Sequence, residues 1–343
     1  MSHSSNKIAS LELGRVIAII AVIAIHSQLM TDYPLLNDQP WLGNLINQLS
    51  RFAVPFFFIT SGYFLQPKLS SDPINTALRY CKPLLYIWLV WTIICLLMPF
   101  NLHVLSEQGW LVERSGYWNY LAQSPINSLL EGGLVHLWFL PSLIFAVAII
   151  AIIEHINQSK WLVIFAVILY LYGVLAGSYQ SLTEFSAPFF TRNGPFFSLL
   201  MVVIGYAIRL NTFSLTATQA RTLLLFGLVG HIGEAYALTQ FGIDFRVHDF
   251  LFSTPLWAAG VFLYLMAKPN LGNSPIIFSL ANMTSGIYVT HLLIVIYMNN
   301  LTGSNGIEGP AKDSIVFLGT LIISVALTYG LHKSPLRKLF FGR

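Results

Sequence analysis

Arg15 and His26 stand eleven residues apart in the apolar run Glu12–Met30, which is long enough to cross a bilayer. At about 100° per residue, eleven steps return to within roughly 20° of the starting direction. The two side chains therefore share one helix face, about 16 Å apart along the axis. A guanidinium and an imidazole on one stripe of a membrane helix are costly to keep there, and they mark a polar path. His26 has two readings of equal weight. It is either a neutral ring hydrogen-bonded between helices as glue, or a general base or proton relay, because histidine titrates near neutrality without tuning. Arg15 lies near the helix start, where Glu12 one turn earlier is placed to neutralise it.

Further polar groups recur at the ends of later apolar segments. Arg51 opens the second, as an interfacial anchor or a ligand for an anionic group, and Thr60, Ser61, Gly62 and Tyr63 follow within it. The small residues among them suit close helix approach. Arg79 and Lys82, three apart, are one turn apart if helical, and they suit the phosphates of a cosubstrate as well as simple anchoring. No glycine-rich phosphate loop accompanies them, which speaks against a Walker-type ATPase. His136 and Trp138 stand at the start of the fourth apolar segment, and Arg192-Asn193 precedes the sixth. Free N–H groups at such helix starts suit an oxyanion or a sugar hydroxyl. His231 and Glu234 are one turn apart, so Glu234 is expected to hold His231 or a neighbouring helix; Tyr288 and His291 share a face of the ninth segment. No three of these histidines have metal-ligand spacing, so no catalytic metal is expected. Cys81 and Cys95 are the only cysteines, too few for a disulfide framework or a thiolate site.

The elements that must position these groups follow from composition. Apolar residues make up 55% of the 343 and charged residues 9%, with a mean hydropathy of +0.68. Soluble domains carry about 25% charged residues, so the chain reads as all-α, a polytopic transmembrane helical bundle. Ten apolar segments can be marked, at about 11–30, 51–66, 83–100, 137–153, 160–176, 195–210, 222–239, 250–267, 283–299 and 314–332. The second and ninth are short and polar, which favours burial against other helices over contact with lipid. Placing the N-terminus inside puts Lys7, Lys68, Arg79, Lys82, Lys160, Arg209, Arg221, Lys268, Lys333, Arg337, Lys338 and Arg343 on the cytoplasmic side. The opposite loops then hold Arg51, Arg114, Arg192, Arg246 and Lys312. That bias predicts both termini in the cytoplasm. It also explains the pI near 9.0 without nucleic-acid binding. The first segment reads as an uncleaved signal anchor. The long loop 101–136, rich in tryptophan and tyrosine, reads as an interfacial belt or the lining of a groove. The whole of 1–343 is expected to be one membrane domain with no soluble appendage.

Taken in order, these motifs resemble the acyltransferase-3 family of integral membrane O-acyltransferases. The resemblance rests on Arg15-x10-His26, on Val54-Pro-Phe-Phe-Phe with Ser61-Gly-Tyr63, and on His136-Leu-Trp138-Phe-Leu. Arg192-Asn193-Gly with Gly205-Tyr and Ser285-Gly-Ile-Tyr288-Val-Thr-His291 complete it. It covers about residues 10–332. It implies ten core transmembrane helices in a bacterial cytoplasmic (inner) membrane and transfer of an acyl group, by family habit acetyl from cytosolic acetyl-CoA. The implied acceptor is a hydroxyl of a cell-surface polysaccharide or its lipid-linked precursor. The implied catalytic histidine is His26, with Arg15 its companion. Arg79 and Lys82 match an Arg-x-x-Arg phosphate segment, lysine keeping the charge but losing the bidentate fork. Arg51, Ser61, Tyr63, His136, Trp138, Arg192, Asn193, Tyr288 and His291 fall to the acceptor side, with the Arg192-Asn193 turn, His136 and Tyr288 as candidate oxyanion donors. Implied partners are the acyl-CoA, the glycan and the bilayer, with a homo-oligomer or polysaccharide-assembly partners left open. The rival class is a proton-coupled secondary transporter using Arg15, His26, Glu234 and His291 as its path.

Overall fold

The computed structural model describes residues 8–31 and 39–342, and among these the chain is helical with no β-strand. Lys7 and Arg343, both counted in the charge asymmetry, lie outside the described residues. Each apolar segment forms a helix: α1 Ala9–His26, α2 Ala53–Ser71, α3 Pro73–Leu97, α4 Phe139–His155, α5 Leu162–Leu175, α6 Pro195–Leu210, α7 Ala217–Thr239, α8 Thr254–Met266, α9 Pro275–Ser304 and α10 Gly309–Lys333. Among the described residues six of these are long and apolar enough to cross a membrane: α1, α3, α4 with the turn before it, α7, α9 and α10. Helices α5, α6 and α8 are apolar but shorter. The protein is a multi-pass membrane protein.

Local chemistry sets the helix starts. Pro73, Pro195, Pro255, Pro275 and Pro310 stand in first turns, where the missing N–H of proline has no intrahelical role. Ser274 accepts from Ile277 N at the start of α9. A capping box closes the start of α7, with Thr216 and Gln219 satisfying each other's backbone N–H groups.

Burial sorts the helices into an inner and an outer set. In α1, 61% of the spanning window is buried within the protein, against 17% in α3 and 22% in α10, so α1 is central and the other two peripheral. Helix α2 is buried along most of its length, and Phe56 and Phe58 are fully covered, which accounts for its polar, short appearance in sequence. Its packing on α6 is the closest in the bundle. A Cβ at Gly62 would stand 1.9 Å from Val202 O, and one at Gly205 would stand 1.8 Å from Ile59 O. Two glycines thus let the backbones of α2 and α6 touch. We expect Gly62→Ala and Gly205→Ala each to destabilise the fold by about 1–3 kcal/mol through overpacking. Thermal melting of the detergent-solubilised protein, at unchanged membrane insertion, checks this.

The loop 101–136 forms three short helices, Leu102–Gln108, Trp110–Ala122 and Pro125–Glu131. Trp118 Nε1 donates to Leu96 O at 3.1 Å and Trp110 Nε1 to Leu97 O at 2.9 Å, satisfying carbonyls left open at the end of α3. Arg114 is fully buried, paired with Glu113 and lying 4.4 Å over the Phe100 ring. Its aromatics therefore cap a helix end and enclose an ion pair.

Candidate active site

Helices α1 and α9 bring the first motif together with the last. Ser10 N donates to Pro269 O at 3.1 Å, which fixes the start of α1 beside the connection leading into α9. The two helices then run in the same direction side by side. Arg15 donates to Glu12 Oε2 and to Thr284 Oγ1, each at 2.9 Å. Further along, the ring of His26 lies 5.2 Å from that of His291. His136, in the 3-10 turn Val135–Trp138 that opens α4, lies 5.1 Å from His291 on another side. Three imidazoles from three elements thus form one cluster. Among the described residues no three His, Cys, Asp or Glu side chains stand together as a metal-binding group.

Backbone carbonyls set two of the tautomers. His291 Nδ1 lies 2.6 Å from Tyr288 O and His136 Nε2 lies 3.2 Å from Val289 O. A carbonyl only accepts, so these nitrogens carry the protons. His291 Nε2 and His136 Nδ1 are then bare lone pairs, and both are buried without a hydrogen-bond partner. No described residue hydrogen-bonds the ring of His26.

A cavity of about 940 Å3 joins this cluster to one face of the bundle. His26, His136, Trp138 and Tyr288 line its inner end, and Ser61 lines its wall. Around the mouth stand Arg15, Lys68, Arg79, Lys333 and Arg337, with Glu12 the one lining carboxylate among the described residues. Lys82 is exposed and does not line the cavity, so the helical turn that presents Arg79 sends Lys82 elsewhere. Lys68, one helix earlier, takes its place. Lys333 and Arg337, counted in sequence only toward the charge bias, join because the short helix Arg337–Phe341 folds back: Trp91 Nε1 donates to Phe340 O at 3.1 Å and Phe341 stacks on His332 at 4.6 Å. Thr60, also on the wall, carries a buried Oγ1 without a partner.

Several predicted site groups are engaged elsewhere. Arg51 donates to Asp249 at 2.6 Å and to Arg246 O at 2.8 Å; Arg192 donates to Asp249 at 2.8 Å and Glu131 at 2.7 Å. Asn193 Nδ2 donates to Glu131 and Asn127. The result is a chain Arg51–Asp249–Arg192–Glu131 on the face opposite the mouth. Burial alone would raise the Asp249 carboxyl, but the charges of Arg192 and Arg51 hold it below the ordinary carboxylate range. Of the expected oxyanion donors, the Tyr288 hydroxyl donates to His136 O and the one N–H of His136 donates to Val289 O, while Arg192 Nε is buried without a partner. Ser61 Oγ donates to Phe57 O, and Tyr63 accepts from Arg209 at 3.2 Å beneath its guanidinium. Glu234 does not hold His231, whose ring nitrogens lie 2.9 Å from Thr254 Oγ1 and 3.0 Å from Gln48 Oε1. Glu234 instead accepts from Tyr179 OH and from the N–H groups of Phe252 and Ser253 just before α8. These bonds secure the loop that leads into α8.

A helical membrane bundle with a basic-mouthed cavity ending at a histidine cluster is the class that fold and site define. The sequence profile of the Acyltransferase domain matches residues 8–329, and the chain belongs to the acyltransferase-3 family. Among curated relatives, a protein named amino-acid racemase from Enterococcus faecalis is 27% identical over 319 residues, covering 88% of this chain and 42% of its own. A serine/alanine racemase from Enterococcus gallinarum is 28% identical over 263 residues, covering 69% of this chain and 34% of its own. The chain thus spans less than half the length of these relatives. No solved structure matches it.

Proposed function

We propose that the protein is a membrane O-acyltransferase that takes acetyl from acetyl-CoA and delivers it to a hydroxyl of a surface glycan or its lipid-linked precursor. The observation that carries this reading is the gathering of Arg15, Lys68, Arg79, Lys333 and Arg337 around a cavity whose far end holds His26. Such a mouth suits a polyanionic donor whose reactive end must reach inward. In this reading the mouth faces the cytosol of a bacterial inner membrane, with ten crossings and both termini inside. A match over 42% of the relative's own length does not tie its named activity to the matched part.

The chemistry follows from the free ring of His26. The glycan hydroxyl is a poor nucleophile until its proton is taken. His26 accepts that proton as the oxygen attacks the thioester carbonyl. The C–S bond then breaks, and the proton passes to the leaving sulfur, giving ester and thiol. The ring of His291, 5.2 Å from that of His26 and with its Nε2 bare, is the neighbouring group that tunes the proton affinity of His26 between these events. Arg15, tied to Thr284, positions the donor or holds α1 against α9.

Purified protein incubated with radiolabelled acetyl-CoA and candidate glycans tests the reading; label on the glycan supports it. Vesicle uptake of an unmodified solute would favour the transporter instead. Reversing the mouth charges in Lys333→Glu/Arg337→Glu is expected to raise the donor KM roughly tenfold or more and to leave kcat within about twofold, since these groups bind the donor equally before and during the chemistry. A fall in kcat at unchanged KM would remove them from donor binding.

A further inference from the structure

The inner end of the 940 Å3 cavity differs from its mouth in charge and in shape. All five lysines and arginines of its lining, Arg15, Lys68, Arg79, Lys333 and Arg337, stand at the mouth. The end at His26 is lined by none, and residues 32–38, which follow α1 in sequence, contain no lysine or arginine. Arg51 and Arg192 do not line the cavity, and the two carboxylates Asp249 and Glu131 pair with them. A carboxylate brought to this end would therefore meet no lysine or arginine in the lining. It could draw its counter-charge from His26 only by holding that ring as an imidazolium, which would remove the base.

Shape adds a second limit. The ring of Phe57 on α2 meets that of Phe139 on α4 at 6.3 Å between centroids, Phe139 meets Tyr288 on α9 at 5.6 Å, and Tyr288 meets His136 at 5.5 Å. All four line the cavity. Rings at these separations are in contact, so together they make one continuous aromatic wall beside the histidines. Phe57 and Phe139 are half-buried, whereas Phe56 and Phe58 are fully covered, so the former pair has surface to offer a ligand. Val22, one turn before His26 on the same face of α1, also lines the cavity and is apolar. We propose that this end is an acyl-selecting pocket, which takes a short uncharged acyl group and rejects longer and dicarboxylic ones, with Phe57 and Phe139 setting the length. The inference rests on the acyl-transfer reading, in which the thioester carbonyl must reach His26 and so brings its acyl group against this wall. It adds the charge and size class of the group transferred and the residues that decide it.

The full chain in detergent is titrated by calorimetry with CoA, acetyl-CoA, butyryl-CoA and succinyl-CoA. Butyryl-CoA and succinyl-CoA are each expected to bind roughly tenfold or more weaker than acetyl-CoA, the first for length and the second for its unpaired charge. The two causes separate in Phe139→Ala and Phe57→Ala, which open the wall without adding a cation. Either variant that elutes as a folded protein should bring butyryl-CoA to within about threefold of acetyl-CoA, leave succinyl-CoA rejected, and keep the affinity for CoA itself within about threefold of wild type. Succinyl-CoA or butyryl-CoA binding the wild type as tightly as acetyl-CoA would overturn the proposal. So would a butyryl-to-acetyl ratio unchanged in both variants. The two readings fail differently. If acyl transfer is wrong, neither CoA nor any acyl-CoA binds, and both readings fall. If the acyl pocket alone is wrong, CoA binds and the acyl group attached to it makes no difference.

Discussion

His26→Gln is expected to lower acyl transfer roughly 100- to 10,000-fold, the range that a positioned general base contributes. Glutamine keeps a polar side chain of similar reach but titrates nowhere near neutrality, so proton transfer is lost while the helix and its neighbours persist. The substitution should leave folding intact for a structural reason: no described residue hydrogen-bonds the His26 ring, so no partner is left unsatisfied when it goes. Acetyl-CoA binding should survive as well, because the cations of the mouth lie on other helices or toward the opposite end of α1. The measurement is transfer of label from acetyl-CoA to glycan, with size-exclusion behaviour and donor affinity as controls. Transfer within a few-fold of wild type, in a well-folded Gln variant, would sink the catalytic assignment. His291→Phe makes a graded comparison. It removes the neighbouring lone pair but not the base, so a smaller loss is expected, with the pH–rate profile shifted.

Helical periodicity explains why some of the site was legible in sequence. Eleven residues return to one helix face, and Arg15 and His26 do line one cavity. The polarity of the second segment pointed to burial, and α2 is the helix most closely joined to another through Gly62 and Gly205. What periodicity does not carry is pairing across the chain. Arg51 and Asp249 are 198 positions apart, and nothing local to either shows that they meet. Glu234 lies one turn from His231, yet a helix neighbour is only one of several options for a carboxylate, and the N–H groups before α8 won. Lys82 lies outside the cavity for a related reason. Three residues from Arg79 is one turn along the helix but about 60° around it, enough to turn a side chain out of a narrow cavity. Arg337 was missed because its position depends on a chain reversal after α10, held by Trp91 from a helix far away in sequence.

Asp249→Asn is expected to destabilise the fold strongly. Asp249 accepts from both Arg51 and Arg192, and the asparagine would leave two arginines facing each other with one carboxylate, Glu131, between them and solvent. Removing one partner of a buried pair costs about 3–5 kcal/mol. Asp249 is 28% exposed and Arg192 22%, so solvent screening brings the expectation to about 2–3 kcal/mol. The pH dependence tells this from a packing effect. The Asp249 carboxyl is held below its ordinary value, so its contribution is complete above roughly pH 4 and is lost as the pH falls through its folded value. His248, next in sequence, follows a different course. Burial, with Arg51 nearby, pushes its ring down to about 4. The unfolded chain therefore binds that proton first, and stability declines as the pH falls from about 6.5 toward 4. Wild type and Asp249→Asn should share this upper decline, with the gap between their denaturation free energies nearly constant above pH 4 and closing below it. His248→Phe should make the upper decline shallower and leave the lower one. A gap that does not narrow as the pH falls below 4, or that closes between pH 6.5 and 4, would show that Asp249 does not hold the two arginines as an ionised carboxylate.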